Sequence, residues 1–314
     1  MSKLEVRKMK YVHLFILLVA ILGSCRHGEG ERQSLPEAPL QADTVWDSTA
    51  LRVAVMPTLD CLPMYVAEEC GLFDSLGVDV RLVRYTAHMD CDTALQRERV
   101  DGMITDLVRA KRLEEQGVPL DVVTATNAYW QLLTNRNARI VSLKHLDDKM
   151  LAMTRFSATA LLADRAVRMG GLTPERVFRI QINDVGIRLR MIENNSMDAM
   201  LLTEPQATAA RLGKHRVLMD TRKQDICLGA VAFRAEVLED KMRKKQVDIF
   251  LKAYNMACDT INKNGITTYK ALIASYCNIG ETVVDSIPKD LRFAHAAPPR
   301  KKDIELAESW LNRQ

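Results

Sequence analysis

Aromatic residues make up only 5% of the 314, and net charge is nearly absent. Few aromatic rings leave few platforms on which bases stack. The formal charge is +4, but residues 1–24 hold Lys3, Arg7, Lys8 and Lys10 against Glu5, and beyond them 40 basic residues face 39 acidic ones. A nearly neutral body lacks the electrostatic footprint of a nucleic-acid binder, so no nucleic-acid partner is expected. Phosphate-loop, nucleophile-elbow, HExxH and dinucleotide fingerprints are missing. The six histidines (His13, His27, His88, His145, His215, His295) make no recognisable dyad with a nucleophile. What is present is a length sufficient for one large or two ordinary domains, with 47% apolar and 27% charged residues. That balance excludes a wholly disordered or fibrous chain.

Long apolar runs are also lacking. Residues 11–23 are apolar behind a basic start, which is short of the ~20 residues that cross a bilayer and suits a signal-peptide core. Leu22-Gly23-Ser24-Cys25 follows, small residues leading into a cysteine. This resembles a bacterial lipobox, so residues 1–24 are expected to be a lipoprotein signal peptide, with Cys25 lipidated. An ordinary signal peptide with an incidental cysteine is the plainer alternative. Residues 25–49 are polar, contain Gly and Pro, and read as a flexible tether. The protein is therefore expected to be exported and held at a bacterial membrane by its lipid.

Six cysteines remain beyond Cys25: Cys61, Cys70, Cys91, Cys227, Cys258 and Cys277. No CxxC or Cys/His ligand spacing occurs, so neither a metal nor another cofactor is expected. Cys258 falls on an apolar helical stripe with Val247, Phe250, Leu251, Tyr254 and Ile261. Mostly free, buried thiols are expected, with Cys61 and Cys91 the one pair to check.

From residue 50 onward strand and helix alternate. Residues 51–56, 78–83, 100–105 and 120–126 read as strands, with helices between them opening near Pro63 and carrying Ala94 and Leu95. Residues 149–153, 178–182 and 198–202 repeat the pattern. Ser157 is placed to cap a helix over 158–169 that Gly170 and Gly171 close. Such βαβ runs imply α/β architecture with largely parallel sheets. The segments ALQRERVDGMIT at 94–105 and MIENNSMDAMLL at 191–202 match in pattern, as if one architecture were used twice. An accidental likeness between two αβ corners would look the same. Past residue 235 the pattern is helical. The cluster Lys241, Arg243, Lys244, Lys245 reads as a solvated face or a docking surface for acidic partners.

The ordered set LRVAVMPTLDCLPMYVAEECGLFDSLGVDVRLV, ALxxxxVD, SLKHLDDKMLAM and MDAMLLTEP resembles substrate-binding proteins of ABC importers. The nearest group is the nitrate, sulfonate and taurine binders with their relatives that take thiamine pyrimidine precursors. The likeness covers roughly residues 50–290. It implies a periplasmic-binding-protein-like type II fold with a ligand cleft between two αβ lobes, residues 50–126 plus 223–314 and residues 127–222. It also implies a monomer with no cofactor that takes a small-molecule solute to an ABC permease and ATPase. The family usually has glycine where Glu98 and Asn195 stand. Glu tolerates a left-handed turn poorly, so the first-lobe turn is expected to be built differently. Tyr85-Thr86-Ala87-His88 replaces the family's glycine-rich loop. Thiamine-pyrimidine-synthase-like and menaquinone-pathway-like enzymes share the fold, but the former's cysteine-rich cluster is missing. A ligand-sensing role uses the same cleft.

In open αβ sheets ligands lie beyond the carboxyl ends of strands, where helix N-termini present N–H groups. The candidates there are Thr58, Asp60, Cys61, Tyr85, Asp106, Arg155, Ser157, Thr159, Asn183, Asp184 and Glu204. Asn127, Tyr129 and Trp130 lie near the first crossing between lobes. Arg155, Ser157 and Thr159 suit a sulfonate or carboxylate, whereas Asp60, Asp106, Asp184 and Glu204 suit an aminopyrimidine or an amine. The structural alternatives stay open: Ser157 and Asp184 as plain caps, Arg155 in a surface ion pair, Glu204 anchoring the turn before Pro205, and Tyr129–Trp130 as a buried hinge pair.

Overall fold

Two five-stranded sheets organise the chain. The computed structural model describes residues 49–314; the leader, Cys25 and nearly all of the tether lie outside the described residues. The first sheet has β1 (Leu51–Val55), β2 (Val80–Arg84), β3 (Gly102–Asp106), β4 (Leu120–Ala125) and β10 (Gly229–Arg234), in the order β2-β1-β3-β10-β4. The second has β5 (Gln131–Thr134), β6 (Lys149–Met153), β7 (Val177–Gln181), β8 (Ala199–Leu202) and β9 (Arg216–Asp220), in the order β7-β6-β8-β5-β9. Each sheet with its helices is an αβ lobe. The helices used below are α1 (Leu62–Glu69), α2 (His88–Gln96), α3 (Leu107–Glu115), α4 (Ala158–Met169), α5 (Val185–Glu193), α6 (Gln206–Leu212), α7 (Lys241–Asn264), α8 (Lys270–Cys277) and α9 (Lys301–Leu311).

The sheets are mixed rather than largely parallel. In each, one strand runs against its neighbours: β10 is antiparallel to β3 and β4, and β5 is antiparallel to β8 and β9. These two strands are where the chain crosses over. Having left one sheet at β4 or β9, it enters the other next to the central strand, in the reverse direction.

The repeat seen in sequence has a structural counterpart. Asp101 and Asp198 precede the central strands β3 and β8, and each carboxylate accepts the N–H of the second residue of the neighbouring strand, Arg52 at 2.7 Å and Met150 at 3.0 Å. The registers match as well, Val53 to Gly102 and Leu151 to Ala199. Glu98 and Asn195 both turn left-handed, at φ 56° and 59°. The first-lobe turn is therefore not built differently. Glu98 takes the conformation that glycine would take, and its exposed side chain meets Arg234 at 3.3 Å.

The first core lies between its sheet and α7, where Phe250 stacks on Phe73 and meets Phe233 edge-on at 5.7 Å. Arg243 is not part of a solvated face: it turns inward to the buried Asp101 at 2.8 Å. All six described cysteines are free thiols, Cys61 and Cys91 included, and four are buried while Cys70 is exposed. Helix α9 packs against both α3 and α4, and Trp310 Nε1 donates to the buried Asp164 at 2.9 Å. Among the described residues no helix is long and apolar enough to cross a membrane.

Candidate functional site

The carboxyl ends of β1, β2 and β3 in one lobe face those of β6, β7 and β8 in the other, and the loops that follow these strands touch. Leu59 N donates to Glu204 O at 2.8 Å, and Gln206 Nε2 donates to Pro57 O at 2.7 Å. Val185 N donates to Thr86 O at 3.3 Å beside a short antiparallel bridge from Ala87 to Asp184. Between these contacts lies an enclosed polar cavity of about 30 Å³. That is room for a water molecule, so a solute of several heavy atoms enters only when the lobes part.

Seven of the sequence candidates line this cavity: Thr58, Asp60, Asp106, Trp130, Ser157, Thr159 and Asn183. The other seven do not. Cys61 is buried behind it, with Met56 N directed at its sulfur at 3.4 Å. Tyr85 and Tyr129 pack half-buried against the first core, so Tyr129 and Trp130 point to different places. Asn127 Nδ2 bonds Arg292 O at 3.2 Å. Asp184 accepts Ile187 N at 2.7 Å as the cap of α5. Glu204 accepts Thr208 N at 3.0 Å and pairs with Arg211 at 2.8 Å. Arg155 lies exposed at the outer mouth.

Ser157 both caps and lines. Its Oγ accepts Thr159 N at 3.1 Å, which satisfies one of the free N–H groups at the start of α4. The next such group is claimed by the opposite lobe. Ala158 N donates to Asp106 Oδ1 at 2.9 Å, and the same oxygen caps α3 through Val108 N and Arg109 N, each at 3.1 Å. The anion position predicted at the helix start is thus occupied by a carboxylate of the protein itself.

Sequence reasoning missed Arg109 and Arg188 as cavity residues. They stand one helical turn after the capping aspartates Asp106 and Asp184, at i+3 and i+4, and that spacing was the signal available. Arg109 is 4% exposed and pairs with Asp92, with Asp106 at 3.6 Å. Arg188 is also 4% exposed, and all its bonds go to neutral oxygens, Ile182 O at 2.7 Å, Leu201 O at 3.2 Å and Thr154 Oγ1. His88, Thr105 and Thr154 complete the polar wall.

Burial dominates the electrostatics. It pushes the Asp106 carboxyl up to about 6, against the pull of Arg109 and the three N–H groups. It raises Asp60 in the same sense. Burial and then the charges of Arg109 and Arg188 lower His88 to about 3, which leaves a neutral imidazole. Arg188 drops to about 10, through burial first and Arg109 second, and stays charged. His88 Nδ1, Thr105 Oγ1 and Arg109 Nε are buried and make no hydrogen bond, Arg109 Nε having only its ion pair to Asp106, and a buried polar atom without a bond costs roughly 1–3 kcal/mol. The cavity therefore offers acceptors at Asp60, Asp106 and His88 beside donors at Arg109, Arg188 and the hydroxyls. Among the described residues no group of three or more potential metal ligands forms.

A family model described as NMT1/THI5 like matches residues 58–265. The periplasmic aliphatic sulphonate-binding protein SsuA of Escherichia coli superposes with TM-score 0.69 at 18% identity, over 85% of this chain and 87% of its own. The alkanesulfonate-binding protein SsuA of Xanthomonas axonopodis, solved with MOPS, gives 0.70 at 15%, over 84% and 92%. The periplasmic nitrate-binding protein NrtA of Synechocystis gives 0.68 at 14%, over 79% and 73%. Among curated proteins none matches. At such identities the likeness establishes the fold, which is that of periplasmic solute-binding proteins.

Proposed function

We propose that this chain, which belongs to the NMT1/THI5-like family, is the solute-binding lipoprotein of an ABC importer. It captures a small polar solute between lobes formed by residues 50–126 plus 223–314 and residues 127–222, and delivers it to a permease and its ATPase. Export and lipidation at Cys25 keep the monomeric body at the membrane. The observation that carries the reading is the enclosed cavity where loops of both lobes bring unpartnered polar atoms together. A solute that satisfies those atoms bridges both lobes, and such contacts exist only in the closed form, so binding and closure are one equilibrium.

Two solute classes fit the family, sulfonate-, taurine- or nitrate-like anions and thiamine-precursor pyrimidines. The cavity favours a solute with an amine or amino-heterocycle. Asp60, Asp106 and the neutral His88 are acceptors, and Asp106 already occupies the α4 helix start that a bare anion would use. Thermal-shift and calorimetric titration with taurine, ethanesulfonate, nitrate and hydroxymethylpyrimidine tests this. Taurine or the pyrimidine is expected to bind one to one and, at a hundredfold excess over Kd, to stabilise by about 2.7 kcal/mol; nitrate and ethanesulfonate, which lack an amine, are expected to bind more weakly. Binding by none of the four, or chemical conversion of any, overturns the reading.

A further inference from the structure

We propose that the groove at the outer mouth of the cleft is a second subsite, which holds a strongly acidic group of the solute, a sulfonate or a phosphate. The proposal deepens the solute-capture reading and rests on it. The groove has a volume of about 300 Å³ and is shared by both lobes, with Arg109 and Arg112 of α3 facing Arg155, Phe156 and Gln181. Three guanidinium groups meet one carboxylate there, Asp92, which is already paired with Arg109. Neither Arg112 nor Arg155 has an ion pair. Arg112 lies over the Phe156 ring, its guanidinium carbon 3.7 Å from the centroid. That contact holds the Arg112 side chain at the groove, and among the described residues no hydrogen bond or ion pair takes up its N–H groups. Arg109 Nε is buried, makes no hydrogen bond and lies 3.6 Å from Asp106 Oδ2 on the inner side. A planar fork of donors with excess positive charge fits a tetrahedral oxyanion better than a carboxamide or an amine.

Arg109 lines both the inner cavity and the mouth, so the two subsites are contiguous. Inside are carboxylates and a neutral imidazole; outside are arginines. The cleft is thus polarised for a molecule with its amine end inward and its acid end outward. Nitrate, which has no second end, meets only half of it.

The test titrates the full chain with inorganic phosphate at constant ionic strength, read by thermal shift. Saturable stabilisation is expected, and Arg112→Gln/Arg155→Gln is expected to weaken it at least about tenfold, the scale of lost charge-assisted bonds. Lys241→Gln/Lys245→Gln removes the same charge from exposed residues that do not line the groove and is expected to leave the affinity unchanged. Absence of saturation, or equal weakening by both double variants, overturns the proposal. Measuring taurine and hydroxymethylpyrimidine on the same proteins separates the two readings. If wild type and Arg112→Gln/Arg155→Gln bind taurine, which has an acid end, equally, the mouth subsite falls and solute capture stands; if wild type binds neither, the capture reading falls.

Discussion

Asp106 and His88 line one cavity, and burial favours the neutral form of both, so it moves their proton affinities in opposite directions. Asp106 titrates at about 6 instead of 3.8, so between pH 4 and 6 the folded chain holds a proton that the unfolded chain has released. Its contribution to stability is therefore present at pH 4 and lost as pH rises through 6. His88 titrates at about 3 instead of 6.5, so over the same window the unfolded chain holds the extra proton. Its contribution is present above 6.5 and lost as pH falls. The two slopes oppose each other between pH 4 and 6, and removing either residue exposes the other. Urea unfolding of Asp106→Asn is expected to show a steeper loss of stability from pH 6 to pH 4 than the parent, and that of His88→Asn a shallower or reversed one. Two variants that kept the parent's pH profile would show that these groups are solvated in the native state. Glu98 shows a backbone position set by its surroundings. A residue with a poor left-handed preference holds the same φ as Asn195, because the strand that follows fixes its direction through Asp101 and the ion pair to Arg234 adds little at an exposed site.

Helices and strands with local signals are the ones a reader of the chain can place. The helix predicted over 158–169 has those limits in the structure, because its Ser157 cap and its closing glycines are neighbours in sequence. Strands β1, β2, β3, β6, β7 and β8 follow for the same reason, each being an apolar or alternating run shortly before a helix. The crossing strands β5 and β10 and the edge strand β9 carry no such mark. Gln131–Thr134 is only four residues long, and Gly229–Arg234 is small and buried almost throughout without alternation. Their partners are antiparallel strands far away in the chain, so nothing local reports their direction. The site divides likewise: loop residues after strands are legible, whereas Arg109 and Arg188 stand inside helices and line the cavity only where the two lobes meet. Gly102 shows what the distant pairing demands. A Cβ there would lie 2.4 Å from the Phe233 ring of the adjacent β10, while the equivalent place in the other half is Ala199. Since Phe233 is fully buried, its ring has no free space to yield. Gly102→Ala is expected to lower unfolding stability by about 1–3 kcal/mol, whereas Ala199→Gly, which only loosens packing and backbone, is expected to cost about 1 kcal/mol. Equal stability of Gly102→Ala and the parent in chemical denaturation would mean that β3 and β10 slide freely.

At the scale of the molecule, closure rests on a few bonds between loops, and most of them use backbone atoms. Leu59 N to Glu204 O and Val185 N to Thr86 O are beyond reach of substitution, and Asp106 also caps its own helix. Gln206 offers a bridge that a substitution can cut. Its Nε2 reaches Pro57 O in the other lobe at 2.7 Å, it does not line the cavity, and its Oε1 is buried without a partner. Removing that amide breaks one bridge between lobes and at the same time removes an unsatisfied acceptor, so the cost to folding is small while the cost to closure is not. A net hydrogen bond contributes about 0.5–1.5 kcal/mol, which as a shift in the closed fraction weakens apparent affinity by about 2–10-fold. The loss should be in the dissociation rate, because the open form still meets the solute at the same speed and releases it sooner. Gln206→Ala is therefore expected to raise the solute's off-rate by that factor in stopped-flow measurements, with the on-rate and the ligand-free melting temperature nearly unchanged. A lowered on-rate with an unchanged off-rate would instead place Gln206 on the entry path. Helix α9 packs on α3 and α4 at once and holds Asp164 through Trp310 Nε1 at 2.9 Å, so parting of the lobes has to break that contact or carry the helix with one of them.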